Sequence, residues 1–164
     1  MRAIAFPMAL LVFTVPFPDF LLSWIDTFLQ HGSAVFAGLF FQLSGTPVVC
    51  DGLNFLLPGC SLQVAPECSG IHSTLVLMIT SLLGGWLFLR SPWKRAILAL
   101  AVIPLALIRN GFRIFVIGRL SVTYGPQMLD SPIHHHGGPL FFALSLLPLL
   151  LLLIFLKKTE RTNR

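Results

Sequence analysis

Three apolar runs, at residues 71–89, 96–117 and 139–156, constrain this chain more than any other feature of its sequence. About 20 residues of α-helix cross the hydrocarbon core of a bilayer, and each run is close to that length. Within a bilayer the backbone must satisfy its own hydrogen bonds, so such runs are expected to be helical. The sequence therefore predicts a polytopic membrane protein.

The composition agrees with this prediction. Of the 164 residues, 55% are hydrophobic and only 10% are charged, which is too few to cover a surface that faces water. A chain of this length has room for four or five helices and short connections. We expect an all-α transmembrane helical bundle that forms a single domain over residues 1–164.

The N-terminal part is less regular. Residues 3–17 form a short apolar run that Pro16 and Pro18 end, and we interpret it as a retained first membrane helix that is tilted or thins the bilayer. Between residues 19 and 42, polar side chains recur every three or four positions, which predicts an amphipathic helix. That helix would lie in the membrane interface, or its second half, 34–43, would enter the bundle.

Residues 44–67 contain several glycines and prolines, which is typical of a loop. Residues 61–64 alternate as a strand does, so we expect a small extracytoplasmic hairpin or ordered loop that leads to Cys68. Cys50 and Cys60 both fall in this loop. Because the extracytoplasmic side is oxidising in bacteria, they are predicted to form a disulfide that leaves Cys68 as the free thiol.

The positive charges predict an orientation. Residues 90–95 carry three cations and the tail at 157–164 carries four, so both segments are expected in the cytoplasm. Cys68, Arg113 and the loop with His134 would then share the extracytoplasmic face. We favour four crossings, with the segment 19–43 not crossing. The net charge of +5 is explained by these membrane anchors, so no nucleic-acid partner is predicted.

Cys68 is the candidate nucleophile. It lies at the head of an apolar run, after Pro66-Glu67 and before Ser69-Gly70. At a helix N-terminus the dipole and the free N–H groups favour a thiolate. The alternative is that Cys68 is only a small buried hydrophobic residue.

Arg113 lies inside an apolar run, where an arginine costs about 2.5 kcal/mol or more unless it is paired or reaches the interface. Asn110, three residues earlier, falls on the same helical face. Arg109 is off this pairing and would serve as an interface anchor. A guanidinium near Cys68 would stabilise both the thiolate and an oxyanion.

His134, His135 and His136 stand in the polar loop before Gly137-Gly138. Histidine titrates near neutral pH and suits a general acid or base. His72, four residues after Cys68, would act as an auxiliary base or hydrogen-bond partner, or simply be a polar residue at the interface.

Three segments together resemble the exosortase/archaeosortase family of membrane transpeptidases. They are Pro66-Glu67-Cys68-Ser69-Gly70-Ile71, the run 103–114 that contains Arg109-Asn110-Gly111-Phe112-Arg113, and the His-rich turn before Gly137-Gly138 and Phe141-Phe142. The resemblance implies that the nucleophile is Cys68, the arginine Arg113 with Asn110 beside it, and the histidine His134, with His135 as the alternative. This chain departs from the family in being short and in having Pro139 where an aromatic residue is common.

The resemblance also implies a function. Such an enzyme cleaves the C-terminal sorting signal of exported proteins, which has a Pro-Glu-Pro type motif, a transmembrane helix and a basic tail. The reaction would proceed through a thioacyl-enzyme, without a cofactor, and would transfer the new C-terminus to an unknown acceptor at the extracytoplasmic face of the bacterial inner membrane.

Two other interpretations stay open. In one, the histidines bind zinc together with Cys68 or His72, although the chain has no His-Glu-x-x-His or Cys-x-x-Cys motif. In the other, the chain is a non-enzymatic transport or assembly subunit of an export system, and Arg113 and Asn110 serve helix packing or solute contact.

Overall fold

The structure is a computed structural model that describes residues 18–58, 60–64, 70–125 and 138–162. These residues form helices and one small sheet. The helices are α1 (Asp19–Leu43), α2 (Ile71–Phe88), α3 (Pro92–Leu100), α4 (Val102–Tyr124) and α5 (Gly138–Thr162), and the strands are β1 (Val49–Asp51), β2 (Asn54–Leu57) and β3 (Cys60–Gln63).

Three helical segments among the described residues are long and apolar enough to cross a membrane. They are Ile71–Phe88, Pro92–Tyr124 and Pro139–Glu160. The chain is therefore a mostly helical, multi-pass membrane protein, as the apolar runs predict. The run 3–17 lies outside the described residues, so four crossings and a single domain over the whole chain stay predictions.

The second of these segments is interrupted at Ala101, between α3 and α4. Pro104 explains the break, because a proline has no N–H for the carbonyl four residues earlier and its ring clashes with that carbonyl. The Ala101 N–H still bonds to the Ile97 oxygen at 3.0 Å, and the Leu105 N–H bonds to the Ala101 oxygen at a longer 3.3 Å. α2, α3 and α5 pack around this joint and bury a common core: Leu77, Leu89, Leu98, Val102, Leu149 and Leu156.

α1 packs lengthwise on α4. A Cβ atom added at Gly32 would lie 2.7 Å from Leu107 Cδ2, and one at Gly118 would lie 2.6 Å from Phe41 Cζ. The contact moves from residue 32 to residue 41 on α1 as it moves from residue 107 to residue 118 on α4. The two helices therefore run in the same direction. The second half of the amphipathic helix packs against the bundle, which is one of the two predicted placements.

The three strands form an antiparallel sheet in the order β1-β2-β3. The sheet covers the ends of α1 and α4, where Phe41, Phe55, Leu62, Ile114 and Ile117 share a buried core. The predicted strand at 61–64 is confirmed as β3, and the loop-like region contains two further strands.

The predicted disulfide between Cys50 and Cys60 is wrong. Cys50 is an exposed free thiol on β1, whereas Cys60 is on β3, and β2 lies between the two strands. Neighbouring strands are about 4.8 Å apart, so positions two strands apart exceed the Cα separation of about 7 Å that a disulfide can bridge.

Candidate active site

The first residue of the candidate site is Gly70, which caps α2. Its φ of 71° is in the left-handed region, which favours glycine. A Cβ atom at Gly70 would lie 2.9 Å from Arg109 Nη2 and 3.3 Å from Asn110 Oδ1. α2 therefore begins directly against the middle of α4, and only a glycine fits this contact without strain.

Arg109 is 7% exposed. Its Nη2 lies 3.5 Å from both the Gly70 carbonyl oxygen and Thr74 Oγ1, which is the far limit of a hydrogen bond. Its Nη1 is buried and has no hydrogen-bond partner in the ranges that the structure describes. The interpretation of Arg109 as an interface anchor was wrong, because the side chain is buried and faces the head of α2.

Asn110 joins α4 to α1. It is 2% exposed, and its Nδ2 donates a hydrogen bond of 3.1 Å to Oγ of the fully buried Ser33. A buried polar pair of this kind fixes the relative position of two helices, because loss of either group breaks the hydrogen bond between them. Asn110 thus contacts Gly70 on one side and is fixed to α1 by Ser33 on the other.

Arg113 is half-buried, four residues after Arg109. Residues four apart lie on the same helical face, and the two guanidinium groups repel each other. Two like charges in a partly buried position raise the local positive potential, so this face of α4 favours an anion. The predicted pair of Arg113 and Asn110 is therefore part of a larger polar surface that includes Arg109.

α5 begins beside the same turn of α4. The ring of Phe141, in the first turn of α5, packs edge-on against Phe112 with 6.3 Å between the centroids. Phe112 lies directly before Arg113 in the sequence. The heads of α2 and α5 thus both contact the stretch 109–112 of α4.

Cys68, His134 and His135 lie outside the described residues. In the sequence, Cys68 is two residues before Gly70, and His134 is four residues before Gly138, where α5 begins. In the sequence, each candidate thus precedes a helix whose head contacts residues 109–112 of α4.

His72 is exposed in the first turn of α2. It lines a cavity of about 280 Å³ between α1 and α2, together with Leu22, Ser23, Asp26, Ile71 and Leu75. In this cavity, Asp26 Oδ2 accepts a 3.0 Å hydrogen bond from Gln30 Nε2, and Oδ1 is buried without a partner among the described residues. The sequence analysis did not single out Asp26 as a candidate site residue. An acidic side chain in a largely apolar helix would have been the signal that identified it.

In the part of the chain that the structure describes, no three His, Cys, Asp or Glu residues cluster as a metal site. Cys68 and the three consecutive histidines of the zinc interpretation lie outside that part, so the interpretation is not tested by this finding.

The family model of the transmembrane exosortases (Exosortase_EpsH) matches residues 1–151. The chain belongs to this family. The match covers both segments with the candidate nucleophile and histidine and most of α5, and it confirms the resemblance seen in the sequence. Comparisons of this exosortase with curated proteins and with solved structures found no match.

Proposed function

We propose that this exosortase is an integral membrane cysteine transpeptidase. It cleaves the C-terminal sorting signal of exported proteins and transfers the new C-terminus to an acceptor at the extracytoplasmic face of the bacterial inner membrane. The observation that supports this proposal most is that the heads of α2 and α5 both contact residues 109–112 of α4, directly before Arg113.

The short sequence separation between Cys68 and Gly70 supports the assignment of the nucleophile. Consecutive Cα atoms are about 3.8 Å apart, so the two peptide units between Cys68 and Gly70 span at most about 7.6 Å. Gly70 is in contact with Arg109 and Asn110. A connection of this length allows the thiol to reach a guanidinium group, as the proposed mechanism requires.

In the proposed reaction, the Cys68 thiolate attacks the scissile carbonyl of the sorting signal and forms a tetrahedral oxyanion. A guanidinium group of α4 donates hydrogen bonds to the oxyanion. His134, or His135 in its place, gives a proton to the leaving amine, and a thioester with the N-terminal part of the substrate remains. The acceptor then attacks the thioester, and the thiolate leaves.

Arg109 and Arg113 would both stabilise negative charge at the site. Arg113 is the arginine that the family resemblance assigns to catalysis. Arg109 is the more buried of the two, and its Nη1 has no hydrogen-bond partner among the described residues. A buried, unsatisfied cation is costly, and an anion held beside Gly70 would relieve that cost.

The direct test uses an exported reporter with a Pro-Glu-Pro type sorting tail, expressed together with the exosortase, and follows the reporter's size on a gel. Cys68→Ala is expected to abolish conversion to the shorter product. Cys50→Ala is the matched control, because Cys50 is an exposed thiol on β1 and should leave conversion intact. If the unsubstituted chain converts its own natural partners and Cys68→Ala converts them equally well, the cysteine mechanism is wrong.

The same assay tests the two arginines. Loss of one oxyanion donor lowers turnover by about 100- to 1,000-fold, and we expect a loss in this range for both Arg109→Gln and Arg113→Gln. Arg119→Gln is the matched control on the same helix, since Arg119 is exposed and donates to Thr46 Oγ1 at 2.9 Å. Equal activity of all three variants would exclude a catalytic role for the surface of α4.

A further inference from the structure

The opposite end of the bundle contains a second polar cavity, of about 460 Å³. It lies where α2 ends, α3 begins and α5 ends. Its lining combines cations, one carboxylate and large apolar side chains: Trp86, Leu87, Phe88, Leu89, Arg90, Arg95, Lys157 and Glu160. The proposed transpeptidase reaction uses none of these residues.

Hydrogen bonds between distant parts of the chain hold this cavity in shape. The Glu160 carboxylate accepts hydrogen bonds from the backbone N–H of Arg90 at 3.1 Å and of Ser91 at 2.7 Å. Arg95 donates from Nε and Nη2 to the Leu89 carbonyl oxygen, at 2.9 Å and 2.6 Å. The turn between α2 and α3 is thereby fixed to the end of α5 before any ligand binds.

The charge of the lining favours an anion. Three cations, Arg90, Arg95 and Lys157, face one carboxylate, and the Glu160 carboxylate is occupied by two backbone N–H groups. Lys157 Nζ lies 5.0 Å from the centroid of the Phe88 ring, a cation–π geometry that holds the ammonium at the cavity wall. Arg95 keeps guanidinium N–H groups that the Leu89 carbonyl does not use.

The surroundings favour a lipid over a soluble anion. Leu87 and Phe88 line the cavity and are 58% and 50% exposed, and Trp93 at the start of α3 is 75% exposed. Exposed apolar and aromatic side chains beside cations at the end of membrane spans are typical of the level of the lipid headgroups. Basic pockets between membrane helices bind the headgroups of anionic lipids.

We propose that this cavity binds the phosphate-bearing headgroup of one anionic phospholipid. The cations contact the phosphate, and the acyl chains extend along the exposed apolar side chains at the end of α2. The bound lipid would contact both the turn after α2 and the end of α5, and would stabilise their packing. The proposal does not depend on the transpeptidase reaction, because binding is measured without turnover.

The test is native mass spectrometry of the purified full chain, released from detergent with phosphatidylglycerol or phosphatidylcholine. We expect one phosphatidylglycerol to be retained and phosphatidylcholine to be lost. A cation near a membrane surface contributes about 1 kcal/mol to the binding of an anionic lipid, so Lys157→Gln should weaken retention about fivefold. Lys158→Gln is the matched control, since Lys158 is its exposed neighbour and does not line the cavity.

Two further arms make the outcome decisive. Far-ultraviolet circular dichroism checks that both lysine variants are folded, and Arg90→Gln provides a second variant with the same expected loss. Equal weakening by Lys157→Gln and Lys158→Gln would show general charge attraction and overturn the site. Displacement of the lipid by inorganic phosphate at equal concentration would show that the cavity binds the free anion and would overturn the lipid assignment.

Discussion

Replacing Gly70 by alanine should damage the candidate site more than it damages the fold. Two effects combine at this position. An L-residue in the left-handed conformation costs roughly 1–2 kcal/mol, and the φ of Gly70 is 71°. The new Cβ would also lie 2.9 Å from Arg109 Nη2 and 3.3 Å from Asn110 Oδ1. Because the Arg109 contact is the tip of a flexible side chain, we expect the guanidinium to move rather than α2 to detach.

The expected magnitudes follow from these contacts. For a chain of this size each kcal/mol lowers the melting temperature by about 2–4 °C, so Gly70→Ala should lower it by about 2–8 °C. Small displacements of catalytic groups reduce turnover steeply, and we expect conversion of the reporter to fall by about tenfold or more. Thermal unfolding in detergent and reporter conversion well below the melting temperature measure the two effects.

Two control variants separate strain from contact. Gly84→Ala adds a Cβ in the interior of α2 with an ordinary 3.7 Å contact to Leu153 Cδ2, so it should leave both quantities unchanged or raise stability slightly. Gly70→Asn should recover stability, since asparagine tolerates the left-handed region, yet stay poorly active because the Cβ contact remains. If Gly70→Ala is as stable and as active as the unsubstituted chain, the proposed contact with Arg109 and Asn110 has no role.

Three other predictions concern the supports of the site. Gly111→Ala should lower stability by about 1–3 kcal/mol, because the added Cβ would lie 2.6 Å from Phe36 Cβ and force α1 away from α4; an unchanged melting temperature would contradict this. Ser33→Ala should lower the free energy of unfolding by about 0.5–1.5 kcal/mol, because it removes the 3.1 Å hydrogen bond that Asn110 Nδ2 donates. If the two residues are coupled, the double variant should lose no more stability than Asn110→Ala alone, and additive losses would contradict the coupling. Cys50 should react with maleimide without a reductant, because it is a free thiol. Partial burial raises the pKa of this thiol and the thiolate is the reactive form, so the labelling rate should still increase with pH above the usual pKa of a thiol. Labelling only after reduction would contradict a free thiol.

The membrane-spanning helices were predictable because length and apolarity alone determine them. The runs at 71–89 and 139–156 contain no Asp, Glu, Lys or Arg, and a helix is the structure that satisfies all backbone hydrogen bonds within one segment in a bilayer. Pro104 lies in the run at 96–117 and breaks it at Ala101. That break follows from proline chemistry, but its exact position depends on how α2 and α5 pack around it.

The candidate site was only partly predictable. The spacing of Asn110 and Arg113 places them on one helical face, but spacing does not show what that face contacts. Arg109 appeared peripheral because its partner, the head of α2 at Gly70, is 39 residues away in the sequence. The disulfide prediction was wrong for a similar reason, since the redox compartment favours pairing of Cys50 and Cys60 while β2 keeps their strands apart.

The most direct test of the central claim is detection of a thioester between the enzyme and its substrate. The purified exosortase is mixed with the reporter, quenched in acid and analysed by intact mass spectrometry, with hydroxylamine to cleave any thioester. We predict an adduct with the mass of the N-terminal reporter fragment that is sensitive to hydroxylamine, present in Cys50→Ala and absent in Cys68→Ala. Reporter cleavage by Cys68→Ala, or an adduct that survives in it, would contradict the account.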